Sequence, residues 1–375
     1  MISMKIGIIT FHRAENYGSV LQAYALNRYI RNIKPGAEVE EIDYESDIQK
    51  DIYRILIAPK SILGCARYIH SLLTYKALVR KKRRFTNFIM EHIPLSDVHG
   101  NLCANELKQY ATKYDSLICG SDQIWNVRCT DSSEYYFLSF ATEGTKKIAY
   151  APSLGLSQFT SDEEKQLKER TSSFDFLSTR EPAGANIISF LTGKDVKVVC
   201  DPVLLFSAEQ WRELSSLVNP VKGPYVLCYF IGDILGMRKY VGRVKRETGI
   251  SKVIVIIKNL RDIGSRFSTQ FDAGPIEFLN LIEHASYVVT DSFHATCFSL
   301  LYHTKFWVFV EPNSTTKPNS RISNITKIAH CSDRVLNIHN MNDVEVDADI
   351  DFATADKYIE EYSMQSKMYL DKALS

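Results

Sequence analysis

Short apolar runs, each followed by a polar loop and a helical stretch, recur along the chain and constrain its fold more than any other feature. The first run, from Ile6 to Phe11, leads through the loop HRAENYG into SVLQAYALNRYIRNI. In that stretch the apolar residues fall on one helical face, and Ser19 is a plausible N-cap. Strands that alternate with helices predict an α/β fold with parallel, helix-covered sheets. Further strands are predicted at 39–44, 115–119, 146–151, 174–178 and 196–200.

The pattern restarts after the polar, proline-containing stretch SSLVNPVKGP, which indicates a second domain. Strands there are predicted at 225–230, 252–258, 286–290, 306–310 and 335–338. A chain of 375 residues also exceeds what one ordinary core supports. We therefore predict a boundary near residues 205–223, an N-terminal domain at 1–205 and a C-terminal domain at 206–345. A helical segment at 346–375 follows, with Ile359, Tyr362, Leu370 and Ala373 facing inward.

Composition excludes several classes of protein. The net charge is +1, so no global field marks a nucleic-acid-binding protein. The eight cysteines form no C-x-x-C and no zinc-type spacing, and are expected to be reduced thiols. The N-terminus lacks the apolar core of a signal peptide, and no apolar run is long enough to span a bilayer. We expect a cytoplasmic protein.

Familiar catalytic motifs are missing as well. The sequence has no G-x-G-x-x-G and no G-K-[ST], so a dinucleotide fingerprint and a P-loop are not expected. It has no H-E-x-x-H, G-x-S-x-G or D-x-D either, so neither hydrolase triads nor metal-dependent sugar transfer have direct support. We expect no cofactor and no metal site.

Residues 60–92 form a long insertion that is predicted to be helical and carries RKKRR at 80–84. In one interpretation the basic run is a solvated helix face. In the other it is a basic patch that meets anionic lipid, as a peripheral contact at the inner face of the membrane, or a diphosphate-linked substrate.

Polar residues cluster after the predicted strands. Ligands in open α/β sheets bind beyond the carboxyl ends of the strands, so two facing sheets would place these loops around one cleft. The loops are FHRAENYGS, GSDQIW, PSLG, TREPAG and DPVLL in the first half, and GD and DSFHAT in the second.

Two loops of the first half suit a sugar acceptor. The first contains His12, Arg13, Asn16, Tyr17 and Gly18; a glycine before a helix allows close approach of a ligand, although an ordinary turn would look the same. The second contains Ser121, Asp122 and Trp125. There the aspartate would accept from sugar hydroxyls and the indole would offer an apolar face, unless Ser121 and Asp122 only cap a helix.

Cationic side chains at other strand ends suit an anion. Arg180 follows the strand at 174–178 and suits a carboxylate or phosphate, the alternative being a pair with Glu181 or with a carboxylate of another domain. His294 lies in the first turn of a predicted helix, where free N–H groups also attract anions; the alternative is a core histidine. Lys317 and Arg321 lie in EPNSTTKPNSR, which would either close over an anion or be a solvated loop.

The ordered set NYGSVLQAYAL, YDSLICGSDQIWN, YAPSLG, STREPAGA, CDPVLLF and VVTDSFHATCFSLL resembles the polysaccharide pyruvyl transferase family from about residue 5 to residue 325. The resemblance implies two Rossmann-like domains facing a cleft, as in GT-B glycosyltransferases, with the C-terminal helix packing back on the N-terminal domain. It also implies transfer of a pyruvyl group from phosphoenolpyruvate to a sugar, usually as a cyclic ketal. Two departures stand out: some members carry Arg where this chain has Ser292, and many have Gly where it has Ala295.

Taken with the residue pattern, the resemblance predicts a transferase that acts on a precursor of a capsule or other exopolysaccharide, with a free or lipid-linked saccharide as acceptor. Predicted catalytic residues are His294, Arg180 and Asp122. The C-terminal domain is predicted to be the donor side. The predicted donor-binding residues are Arg180 of the N-terminal domain together with Ser292, Phe293, His294, Lys317 and Arg321, where Arg321 or Lys317 replaces the missing arginine. Acceptor-binding residues on the N-terminal side are His12, Asn16, Tyr17, Gly18, Ser121, Asp122 and Trp125. A GT-B glycosyltransferase using a nucleotide sugar and a non-catalytic glycan-binding protein are the alternatives.

Overall fold

The computed structural model describes residues 3–59, 61–156, 158–232, 234–256, 268–311 and 320–375. The first sheet contains β1 (Lys5–Ile9), β2 (Glu38–Tyr44), β3 (Leu95–Gly100), β4 (Ser116–Cys119) and β5 (Lys146–Ala149). Its strands are parallel, in the order β3-β2-β1-β4-β5. A bridge between Ile148 and Phe176 extends it to the parallel pair β6 (Leu177–Thr179) and β7 (Val196–Val198).

The second sheet has the same architecture. Its strands are β8 (Val226–Tyr229), β9 (Val253–Ile256), β10 (Ser268–Gln270), β11 (Tyr287–Thr290), β12 (Phe306–Phe309) and β13 (Val335–Leu336). They are parallel, in the order β10-β9-β8-β11-β12-β13. The α/β prediction with two Rossmann-like sheets is confirmed.

Helices occupy the connections between these strands. In the first half they are α1 (Tyr17–Ile33), α2 (Asp47–Ile52), α3 (Ile62–Leu73), α4 (Tyr75–His92), α5 (Ala104–Ala111), α6 (Ser161–Thr171) and α7 (Pro182–Thr192). In the second they are α8 (Ala208–Ser215), α9 (Met237–Thr248), α10 (Pro275–Glu283), α11 (Phe293–Leu301), α12 (Ser320–Ile328) and α13 (Phe352–Ala373). No helix of the described ranges has the length and apolarity needed to cross a membrane.

Three local predictions were wrong. The short strand β10 was not predicted. Strand β3 was not predicted, because its sequence LSDVHG has few apolar residues; it lies at the sheet edge, where one side needs no strand partner. Helix α1 begins earlier than expected, since Asn16 rather than Ser19 is its N-cap and accepts a hydrogen bond from Gly18 N at 3.0 Å.

The C-terminal helix α13 packs back on the first domain. Tyr369 Oη donates to Ala149 O at 2.8 Å, and Cys200 N donates to Ser366 Oγ at 2.8 Å. The same helix also touches the second domain, where the His330 ring stacks on Tyr358 at 4.1 Å. Helix α13 therefore ties the two domains together.

The insertion at 60–92 is helical, as predicted, and its basic run is largely engaged within the protein. Arg80 Nε lies 2.9 Å from Asp272 Oδ2, and Arg84 Nη1 donates to Asp272 O at 2.6 Å. Lys82 Nζ lies 3.3 Å from Glu15 Oε1. Because Asp272 precedes α10, helix α4 of the insertion connects the first domain to the second.

Candidate functional site

The strand orders locate the candidate site. In each sheet the chain first adds strands on one side of the starting strand and then on its other side. The strand order therefore switches between β1 and β4 in the first sheet and between β8 and β11 in the second. Such switch points open a crevice beyond the carboxyl ends of the strands, and ligands bind there. The loops at these points lead into α1 in the first sheet and α11 in the second.

The N-termini of these two helices touch across the domain interface. A Cβ atom on Gly18, in the first turn of α1, would lie 1.9 Å from His294 Nδ1, in the first turn of α11. Only a residue without a side chain allows this approach. Helix N-termini carry partial positive charge and unsatisfied N–H groups, so their meeting point favours an anion.

Ser292 has a structural role at this point. It is the N-cap of α11, and its Oγ accepts a hydrogen bond from Ala295 N at 3.3 Å. A serine is among the best residues for this role, whereas an arginine cannot accept such a bond. The departure from the family pattern therefore strengthens the start of the helix.

His294 and Arg180 meet at one carboxylate, Asp201. Arg180 Nη1 donates to Asp201 Oδ2 at 2.5 Å, and His294 Nε2 lies 3.4 Å from the same oxygen. Ser121 Oγ also donates to Asp201 Oδ2, at 3.0 Å. Arg180 comes from the first domain and His294 from the second, so Asp201 connects the cationic groups of both.

Electrostatics keep Asp201 and Arg180 charged in this buried cluster. Burial alone would raise the pKa of Asp201, but His294 and Arg180 outweigh it and hold that pKa well below its usual value. Burial would likewise lower the pKa of Arg180, yet Asp201, Glu181 and Asp122 raise it. The guanidinium also lies over the Phe293 ring, 4.7 Å from its centroid.

Two polar nitrogens of the cluster are buried without a hydrogen-bond partner among the described residues. They are Arg180 Nη2 and His294 Nε2. Arg180 is 2% exposed and His294 7% exposed, so water satisfies them poorly. Buried nitrogens of this kind are costly unless a partner occupies the site, and the natural partner of a guanidinium beside an imidazole is an anion.

Asp122 carries backbone strain next to the cluster. Its φ of 72° and ψ of −174° fall in a region that essentially only glycine adopts, at a cost of about 1–3 kcal/mol. The Ser19 hydroxyl donates to Asp122 Oδ2, and Gln123 N donates to Oδ1 at 2.8 Å. Arg180 Nη2 lies 4.0 Å from Oδ1. Strain of this kind is typical of functional sites.

Arg321 provides a second cation. When the Gln123 amide is oriented with its oxygen toward Arg321, that oxygen accepts from the guanidinium at 2.9 and 3.1 Å. Burial and the neighbouring Arg180 lower the pKa of Arg321, so the two guanidinium groups repel each other. Arg321 thus lies beside Asp122 and Arg180. Lys317 lies outside the described residues.

Other predicted residues have different surroundings. His12 is fully buried, with Nε2 2.9 Å from Asp43 Oδ1, and Arg13 makes a bidentate pair with Asp43, with both contacts at 2.6 Å. Tyr17 is also buried; it stacks on Phe278 at 4.4 Å and joins the domains. These side chains bind neighbouring parts of the protein.

The suggested role of Trp125 as a sugar platform does not fit its position. The indole is fully buried, stacks on Phe137 at 5.1 Å and donates through Nε1 to Tyr136 O at 3.0 Å. Both faces of the Trp125 indole and its N–H group are therefore in contact with the core of the first domain. A large aromatic residue next to a strand end is more often a packing residue than a ligand contact.

Sequence reasoning missed the centre of the cluster. The candidate site residues did not include Asp201, Ser19 or Glu181. Asp201 contacts both Arg180 and His294. Glu181 Oε1 accepts a hydrogen bond from Ser153 Oγ at 2.7 Å. The rule of polar residues at strand ends pointed to the loop DPVLL, in which Asp201 is the first residue. That signal identified the loop without identifying the role of the carboxylate.

Comparison with known protein families agrees with the resemblance seen in the sequence motifs. A family model described as polysaccharide pyruvyl transferase matches residues 16–313. None of the curated proteins matches the sequence significantly.

Solved structures share the fold at low identity. A Listeria monocytogenes protein assigned as a UDP-N-acetylglucosamine 2-epimerase aligns with a TM-score of 0.50 and 10% identity, over 98% of this chain and 91% of the other. A UDP-GlcNAc 2-epimerase from Methanocaldococcus jannaschii gives 0.49 and 13%, over 96% and 93%. An Escherichia coli heptosyltransferase with ADP gives 0.42 and 11%, over 97% and 100%. At 10% identity the first of these likenesses shows the fold alone, the two-domain GT-B arrangement.

Proposed function

Because the chain belongs to the polysaccharide pyruvyl transferase family, we propose that it transfers a pyruvyl group from phosphoenolpyruvate to a sugar of a surface-polysaccharide precursor. The product is a cyclic ketal across two sugar hydroxyls. One observation carries the proposal: Arg180 of the first domain meets His294 of the second at Asp201. Arg180 Nη2 and His294 Nε2 are buried there without a hydrogen bond to any described residue, 4.0 Å from Asp122 Oδ1 and 3.4 Å from Asp201 Oδ2.

The donor chemistry suits this cluster. Phosphoenolpyruvate carries a carboxylate and a phosphate, which need fixed cations and N–H donors. Arg180 and Arg321 supply two guanidinium groups, and the first turns of α1 and α11 supply N–H groups. Mutual repulsion between Arg180 and Arg321 destabilises the protein without a bound ligand. An anion between the two guanidinium groups relieves this repulsion and is therefore bound more strongly.

The reaction requires two additions to one carbon. Protonation of C3 makes C2 electrophilic, one sugar hydroxyl attacks C2, and the C2–O bond to phosphate breaks. The second hydroxyl then attacks C2 and closes the ketal. One proton ends on C3 and one on the departing phosphate, and the two hydroxyls supply both. His294 handles at least one of these transfers, held in place by Asp201.

Acceptor hydroxyls would meet Asp122. Its Oδ2 accepts from Ser19, so a sugar hydroxyl can join the same carboxylate. A lipid-linked saccharide in the cytoplasm, with the protein in peripheral contact with the membrane, completes the proposal.

Calorimetric titration with phosphoenolpyruvate is the direct test. We expect binding by the wild-type protein, and a loss of about ten-fold or more in Arg321→Ala, because a hydrogen bond to a charged group contributes about 1.5–3 kcal/mol. Arg54→Ala is the control, since that arginine is exposed and, among the residues that the structure describes, its side chain pairs with Asp51 at 3.0 Å. Phosphate release and ketal protons with candidate acceptors then report turnover.

Two results would redirect the assignment. Protection from thermal unfolding by UDP- or GDP-sugars, without protection by phosphoenolpyruvate, would favour a nucleotide-sugar glycosyltransferase. Glycan binding that survives both His294→Ala and Arg180→Ala would favour a non-catalytic glycan-binding protein.

A further inference from the structure

Exposed apolar side chains are concentrated in one segment of the chain. Among the described residues, nine of the sixteen exposed large hydrophobic side chains lie between Ile48 and Val79. Leu73 is 82% exposed and Ile69 58% exposed. Leu72, Leu73, Tyr75 and Val79 surround the point where α3 ends and α4 begins. Single exposed hydrophobic residues are ordinary, but a contiguous group marks an interaction surface.

The same region has a one-sided charge. From Ile52 to Met90 the sequence contains nine lysines and arginines and no aspartate or glutamate, while the whole chain has a net charge of +1. Part of this positive charge is neutralised by ion pairs: Arg80 and Arg84 pair with Asp272, and Lys82 pairs with Glu15. Lys76 and Arg83 are exposed, beside the apolar group.

We propose that the α3–α4 corner, defined as residues 69–79, docks on the surface of an anionic lipid bilayer. Leucine and isoleucine side chains would enter the boundary between headgroups and acyl chains, Tyr75 would lie at that boundary, and Lys76 would meet lipid phosphates. The docking face thus lies before the basic run, whose residues largely contact the protein itself.

Charge favours a bilayer over a second copy of the chain. A two-fold symmetric dimer brings the same patch of both subunits together. Such a contact would bring together the Lys76 side chains and the segments 52–90 of both copies, which contain lysines and arginines and no acidic residue, and this is repulsive. An anionic membrane supplies both the apolar interior and the opposite charge.

Helix α4, which begins in this corner, is connected to the candidate site through Lys82, just beyond the corner. Lys82 of α4 donates to Tyr53 O at 3.4 Å and pairs with Glu15 of the first loop. Burial and the nearby carboxylates of Asp131 and Asp122 raise the pKa of Tyr53. Docking here would therefore bring the acceptor side of the cleft close to the lipid surface, although the inference does not depend on which donor is used.

Vesicle sedimentation of the full-length protein tests the proposal. We expect binding to vesicles that contain phosphatidylglycerol, weak binding to pure phosphatidylcholine, and a decline with added salt. Leu73→Glu should weaken binding by about ten-fold, because a buried leucine contributes about 1.5–3 kcal/mol. Lys76→Gln should weaken it by about five-fold, at about 1 kcal/mol per basic residue. Phe190→Glu is the matched control, since Phe190 is also 82% exposed but lies on α7.

Several outcomes would overturn the inference. Wild-type protein that does not sediment with phosphatidylglycerol vesicles would do so, as would equal binding by Leu73→Glu and Phe190→Glu. A dimer in analytical ultracentrifugation that Leu73→Glu dissociates would instead make the corner a self-association surface. Calorimetry with phosphoenolpyruvate on the same samples distinguishes the two proposals. Vesicle binding without phosphoenolpyruvate binding would contradict the proposed donor and leave the membrane-docking proposal standing.

Discussion

Gly18→Ala tests the contact between the two helix N-termini most directly. The new methyl carbon would lie 1.9 Å from His294 Nδ1 and 2.3 Å from Cγ, whereas ordinary contacts begin at 3.4 Å. The imidazole or the α1 backbone must therefore move by about 1.5 Å. Misplacement of a catalytic group by about 1 Å can reduce turnover by about 100-fold, so we expect phosphate release to fall by at least that factor.

Stability should change much less than activity. Overpacking costs about 1–3 kcal/mol, and the better helix propensity of alanine offsets up to about 1 kcal/mol of it. The net loss of about 2 kcal/mol or less lowers Tm by only several degrees. Differential scanning calorimetry measures this change, and phosphate release from phosphoenolpyruvate with an active acceptor measures turnover.

Gly242→Ala is the matched control. Gly242 also lies in a helix, α9, but its Cβ would meet only the flexible end of Arg246 at 3.7 Å. We expect unchanged turnover and a slightly higher Tm. Wild-type turnover and donor affinity in Gly18→Ala would refute the reasoning, because His294 could then shift without consequence.

Three further changes probe the cluster and its surroundings. Asp122→Gly relieves about 1–3 kcal/mol of backbone strain while removing the carboxylate, so Tm should stay near the wild-type value while phosphate release falls by at least about 100-fold; retained turnover would contradict this. Arg321→Ala removes a cation that Arg180 repels, so calorimetry should show a higher Tm without ligand and less stabilisation by phosphoenolpyruvate; a lower Tm would count against the repulsion. Burial raises the pKa of Asp43, but hydrogen bonds from His12 and Arg13 outweigh it, so the folded-state pKa lies below the unfolded value of about 3.9. This stabilisation is complete above that value and disappears as pH falls toward the folded-state pKa. Asp43→Asn should therefore lower the free energy of unfolding at neutral pH and flatten its decline below about pH 4 in urea titrations, and an unchanged acid limb would contradict it.

The sequence by itself determined the class of fold and the loops that matter. Apolar runs alternating with helices required parallel strands, and the restart near residues 205–223 indicated a second sheet. Parallel strands place all their carboxyl ends on one edge, so polar residues at those ends had to lie together. Arg180, His294 and Arg321 were selected in this way, and the structure brings them to one cluster.

Only the tertiary structure decided which way each side chain points and what it meets. Trp125 and His12 lie at strand ends as predicted, yet packing assigns one to the core and the other to Asp43. The central role of Asp201 and the need for glycine at position 18 arise from contacts between segments far apart in sequence. The period of a sequence fixes which residues share a face or an edge, whereas burial depends on what another segment places against that face.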